Sequence, residues 1–168
     1  MERREVEDAQ PVAGEIRDML LEPLITAVCT AVRELAGIEA AVQLVYQKAL
    51  NHALGDIAAV IQVGPANEGA LVLGFPQRTA AALAAGMLAG VTREVDESLI
   101  RDCVGEIANV VAGQAKALFA DSPYRLALSL PQVVISAQDF RPPPGQDPLV
   151  VAFSSAQGDF TLQLFMKR

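Results

Sequence analysis

Apolar residues recur along this chain with two different periods, and the change from one to the other marks out its elements. From Ile16 to Leu35 the positions Ile16, Leu20, Leu24, Val28 and Leu35 repeat at steps of four or seven. That spacing predicts an amphipathic helix, interrupted or restarted at Pro23 and stopped by Gly37. Three short runs follow, "IEAAVQLVY", "GDIAAVIQVG" and "EGALVLGF", rich in Val, Ile and Leu and bounded by Gly, Pro and Asn. They read as strands, most simply as a three-stranded meander. Helical composition returns in "PQRTAAALAAGMLAG", between Pro76 and Gly90. A longer helix is expected from about 96 to 120, with Asp96 as its cap and Leu99, Cys103, Ile107, Val110 and Val111 on a broad apolar face. Alternation resumes in "YRLALSLPQVVISAQDF", "DPLVVAFSS" and "DFTLQLFMKR", separated by the turn segments "RPPPGQD" and "SAQGD". The order α-βββ-αα-βββ clusters like elements, which predicts an α+β fold: an antiparallel sheet of about six strands covered by long helices. Residues 1–14 carry alternating charges, then Pro11 and Gly14, and are expected to form a loose tail ahead of a single domain over 15–168.

The totals narrow the class. A chain of 168 residues, 52% hydrophobic and 20% charged, can bury a core without disulfides or a structural metal. Its apolar runs fall short of a membrane span, so no membrane partner is expected. Thirteen Lys and Arg against twenty Asp and Glu leave a net charge of -7, which argues against a nucleic-acid partner. The start "MERREVEDAQPVAGE" lacks the apolar stretch of a secretory signal, and the two cysteines lie within apolar helical patterns. Both point to the reducing cytoplasm.

One feature resists a purely structural account. Within the long helix, "RDCVGEIANVVAG" places Asp102, Glu106 and Asn109 at steps of four and three. At about 100° per residue from Asp102, Glu106 falls near +40°, Asn109 near -20°, Gly113 near +20° and Lys116 near -40°. The five share one stripe, opposite Leu99, Ile100, Cys103, Val104, Ile107, Val110, Val111 and Leu118. Gly113 costs a helix interior about 0.5–1 kcal/mol relative to alanine, and it flattens the stripe where something could approach closely. Spacing alone leaves a plainer reading open: a solvated face, with Glu106 paired to Arg101 and Gly113 serving as a helix-packing site.

The pattern Asp-x3-Glu-x2-Asn, realised as Asp102, Glu106 and Asn109 and followed 22 positions later by Pro131, resembles the signature of the CheC/CheX/FliY family of response-regulator phosphatases. "VGEIANVVAGQAK" is most like the CheX branch. "PLITAVCTAVRELAG" resembles the family's first helix, and "GALVLGFPQRTAAALAAGML" its third strand and second helix. The likeness runs over roughly residues 20 to 168.

That resemblance implies a substrate: a phosphorylated receiver protein of the CheY type, whose aspartyl phosphate is hydrolysed. Asn109, with both donor and acceptor, would orient the attacking water. Glu106 would reach the receiver's active-site lysine and set the docking register. Asp102, where the family also accepts serine, would support the pair, and Gly113 and Lys116 would extend the binding face. No cofactor of its own is implied, since the receiver brings the Mg2+ that neutralises its phosphoryl group. His52, the one histidine, falls in a strand connection and is read as a turn or surface residue. Cys29 and Cys103 are read as small buried hydrophobes, and no phosphate-cradling Gly-rich loop is present.

Some relatives carry the motif on two helices, and the first helix here offers Asp18 and Glu22 at the right spacing but Ile25 in place of the amide. One active site is therefore expected, in a stand-alone CheX-like phosphatase that forms a homodimer. The apolar terminal strand "FTLQLFMK" is expected to need its edge covered or paired. A non-catalytic adaptor, binding a receiver or a flagellar or chemoreceptor partner through the same helix face, is the other reading that the resemblance leaves open.

Overall fold

A computed structural model of the protein describes residues 17–47, 54–64, 69–91, 94–121, 127–135, 139–143 and 147–166. The expected tail over 1–14 and His52 lie outside them. Helix α1 spans Glu22–Ala36 behind a π-helical turn at Arg17–Leu21. Pro23 sits in its first turn, where a missing N–H goes unfelt. Gly37 ends it with φ 68°, donating its N–H to Arg33 O at 2.9 Å. Strands β1 (Ala40–Gln47), β2 (Ile57–Val63) and β3 (Gly69–Phe75) follow, then α2 (Gln77–Met87), α3 (Glu97–Leu118), β4 (Gln132–Val134), β5 (Leu149–Ser155) and β6 (Phe160–Phe165).

The strands form one six-stranded antiparallel sheet in the order β1-β5-β6-β3-β2-β4. The expected meander holds only between β2 and β3, for β1 pairs instead with β5 at the far edge. Strand β6 lies between β5 and β3, so the terminal apolar strand is central and has no free edge. Apart from half-buried Thr161 its residues are buried on both faces, which a central position explains and the alternation did not predict. The long outer edge belongs to β1, where Val42 and Leu44 flank a register shift and remain exposed.

All three helices pack on one sheet face. Their buried residues, Leu24, Val28 and Val32 of α1, Leu83 of α2, and Val104, Ile107 and Val111 of α3, meet Ile61, Leu71, Leu73, Phe153, Phe160 and Leu162 in the main core. Phe75, Phe160 and Phe153 stack in series, with centroids 5.2 and 4.9 Å apart. The other face carries a smaller cluster of Val60, Val72, Val134 and Phe165 beneath Leu54 and Phe140. The helices therefore cover only one side.

Candidate functional site

Helix α3 is built to hold one face inward. Asp96 caps it by accepting the Leu99 N–H at 2.9 Å, Glu97 lies in the first turn and Lys116 in the last, each charge opposing the helix dipole at its end. Ile100, Cys103, Val104, Ile107, Ala108, Val111 and Ala115 are buried, and they cover an arc from about 100° to 240° around the axis measured from Asp102. Asp102, Glu106, Asn109, Gly113 and Lys116 are all exposed on the opposite side. Leu118 departs from the expected apolar face at 49% exposure, because Phe119, one residue on and 1% exposed, takes the last core position.

The stripe's side chains are free to meet another molecule. Among the described residues, Asp102, Glu106 and Asn109 form no side-chain hydrogen bond or ion pair, and Arg101 stands exposed without engaging Glu106. Neighbours at these spacings have Cβ atoms about 5–6 Å apart, so the Glu106 carboxylate and the Asn109 amide can address one target. A Cβ built at Gly113 would meet nothing within 4 Å among the described residues, so none of them packs against Gly113.

The neighbouring segment supplies a flank that the helix pattern did not reveal. A Cβ on Gly105 would lie 3.4 Å from Val133 Cγ2, and the missing side chain lets β4 run beside the helix. Gly105 falls near -60° on the wheel, so β4 borders the stripe on the side of Asn109 and Lys116. Pro131, half-buried, enters β4 two residues before Val133 and so belongs to this border. The helical glycine one residue before Glu106 was the signal available in the sequence.

The remaining reactive groups stand apart. Burial, and then the Asp102 charge, push the Cys103 thiol up; burial and Glu39 do the same for Cys29, partly countered by Arg33. Both thiols stay protonated at neutral pH, and Cys29 donates weakly to Ala40 O at 3.4 Å. On α1, Glu22 is exposed but Ile25 is half-buried and apolar, so the second helix face lacks an amide. Among the described residues, no group of three His, Cys, Asp or Glu converges as metal ligands would, and no helix is long and apolar enough to cross a membrane.

The family model described as Chemotaxis phosphatase CheX matches residues 57–154, more than half of the chain and the whole of α3. Solved structures share the fold. A CheX from Desulfovibrio desulfuricans is 23% identical with a TM-score of 0.77, over 88% of this chain and 99% of that one. A CheC-like superfamily protein from Shewanella sp. PV-4 is 24% identical with a TM-score of 0.74, over 89% and 97%. The CheX of Borrelia burgdorferi, solved with CheY, BeF3 and Mg2+, is 17% identical with a TM-score of 0.65, over 88% and 96%. No curated protein matches.

Proposed function

The chain belongs to the chemotaxis phosphatase CheX family, and on that premise we propose that it hydrolyses the aspartyl phosphate of a CheY-like receiver. One observation carries the reading: a carboxylate, Glu106, and an amide, Asn109, project together from an exposed stripe with no partner of their own among the described residues. An acyl phosphate is already activated, so catalysis needs chiefly a water held in line with phosphorus. Asn109 does this by accepting a hydrogen bond from one water O–H and directing the oxygen lone pair at the phosphoryl group. Glu106 engages the receiver's active-site lysine and fixes the register. Asp102, one turn earlier, supports Glu106, while Gly113 and Lys116 give the receiver room and a complementary charge. The Mg2+ that screens the phosphoryl oxygens comes with the receiver.

A CheY-like receiver loaded with acetyl phosphate, then freed of donor, provides the test. The protein should accelerate loss of the aspartyl phosphate, and Asn109→Ala should slow that acceleration by about 100-fold, near 2.7 kcal/mol, with little change in binding. Equal rates for wild type and variant would remove Asn109 from the chemistry, and no acceleration by wild type would leave the adaptor reading. A homodimer is part of the same proposal, with the unpaired edge at β1 as the surface for a second copy. Sedimentation equilibrium showing only monomer at micromolar concentration would refute it.

A further inference from the structure

We propose that the receiver's footprint extends past the helix stripe onto the segment that enters β4, and that Leu130 is its apolar anchor. This inference rests on the receiver-binding reading of α3. Leu130 is 85% exposed, the most exposed large apolar side chain among the described residues, with Val91 next at 56%. An isolated surface leucine is ordinary, but this one is neither isolated nor loosely held. Ile135, 48% exposed, stands on the other side of β4, and half-buried Pro131 and Val133 lie between them. The backbone is fastened on both sides of Leu130. Ahead of it, Leu128 bridges Val63, Ser129 donates its N–H to Gln62 O at 3.0 Å, and Ser129 Oγ accepts the Gln62 N–H at 2.9 Å. The same hydroxyl donates to Leu130 O at 3.0 Å. Behind it, Pro131 limits the backbone and Gln132 joins the ladder opposite Val60. The leucine is thus presented to solvent by an ordered, hydrogen-bonded lead-in.

Its position fits a partner seated on the stripe. Val133 touches the Gly105 turn, and Leu130 is three residues away, about 10 Å of extended chain. A standard interface covers about 800 Å² on each partner, a disc of roughly 16 Å radius. Centred between Glu106 and Asn109, a disc of that size spreads over the Gly105 turn and the β4 segment beside it, from which Leu130 is three residues of chain away. The stripe itself is polar, and polar contacts of this kind set register and exclude wrong partners more than they supply affinity. An adjoining apolar anchor supplies it by burial. The partner surface is accordingly an apolar depression on the receiver beside its phosphorylated cleft, on the side facing Asn109 and Lys116.

The test titrates a CheY-like receiver, activated with beryllofluoride and Mg2+, into the full chain by calorimetry, and measures turnover of the acetyl-phosphate-loaded receiver in parallel. Leu130→Ser should raise Kd and KM about tenfold with kcat retained, whereas Leu130→Met, which keeps an apolar side chain, should stay within about twofold of wild type. Because Leu130 is exposed, the urea midpoint should not move. Unchanged Kd and KM in Leu130→Ser, while Asn109→Ala still slows turnover, would overturn the anchor and leave the proposed function standing. Weakened binding by Leu130→Ser, with Asn109→Ala turning over normally, would support the anchor and take the water-positioning role from Asn109. No binding of the activated receiver to wild type would overturn both.

Discussion

Replacing Gly113 with alanine separates what this residue costs the helix from what it gives the site. Gly113 lies inside α3, five residues before its end, and is exposed. A Cβ there would meet nothing within 4 Å, so the added methyl group brings no clash inside the chain. The whole effect on stability is then the restriction of the unfolded backbone and the better helix propensity of alanine, a gain of about 0.5–1 kcal/mol. For a chain of this length that raises Tm by roughly 1–3 °C. Gly105→Ala is the internal comparison: its methyl would sit 3.4 Å from Val133 Cγ2, so the same propensity gain is partly offset by crowding at β4. Urea unfolding and scanning calorimetry of the two variants should rank Gly113→Ala above Gly105→Ala. Receiver titration supplies the second half. If a partner's backbone approaches the stripe at Gly113, the more stable variant binds more weakly. A destabilised Gly113→Ala would contradict the open helix face itself, and a stabilised variant with unchanged Kd would take Gly113 out of the binding surface.

Two further predictions concern the frame. Asp96→Ala removes the cap that accepts the Leu99 N–H at 2.9 Å and should cost about 1 kcal/mol in urea unfolding; an unchanged midpoint would mean that solvent caps α3 equally well. Gln163, 1% exposed on β6 between Val72 and Val150, buries an Nε2 that has no hydrogen-bond partner among the described residues. Gln163→Met, similar in volume and without the amide, should stabilise the protein by about 1–2 kcal/mol, and a loss of stability would show that the amide is bonded.

The helices were legible because their signals are local. Asp96, Pro23 and Gly37 mark ends within one turn of the residues they cap, and α3 runs over Glu97–Leu118 where 96 to 120 is expected. The site was legible for the same reason, since a fixed helical period turns sequence spacing directly into a surface stripe. Strand neighbours were not. Alternation tells which face a residue takes but not which strand lies beside it, and β1 pairs with a strand more than a hundred residues away, Ala40 opposite Ser155. The stretch "YRLALSLPQVVISAQDF" alternates as one long strand, yet among its described residues Gln132–Val134 alone form a strand ladder. Pro131 has no N–H to give, and Ser129 takes the Gln62 N–H with its side chain. The border that β4 makes along the stripe, and the cluster around Phe140 on the other sheet face, depend on those long-range pairings and so escaped a local pattern.

The topology provides two comparable helix positions, of which only α3 carries an exposed amide at the third position of the motif. Each half of the chain runs helix, then three strands: α1 with β1, β2 and β3, and α3 with β4, β5 and β6. Exchanging β1 with β4, β2 with β5 and β3 with β6 turns the sheet order β1-β5-β6-β3-β2-β4 into its own reverse. The halves are therefore related by an approximate two-fold, and each sends its first strand across to pair with the other's hairpin. That exchange is why a meander read from consecutive strands fails at β1. It also makes α1 and α3 equivalent, packed against each other on the same sheet face. The two stripes diverge at one chemically decisive position. Asn109 is exposed on α3, whereas Ile25, the residue at the same spacing on α1, is apolar and packs half-buried against the core. A β-branched hydrocarbon can neither accept a hydrogen bond from water nor be moved outward without losing its burial. On α1 the position contributes packing to the shared core, while α3 leaves it exposed to solvent.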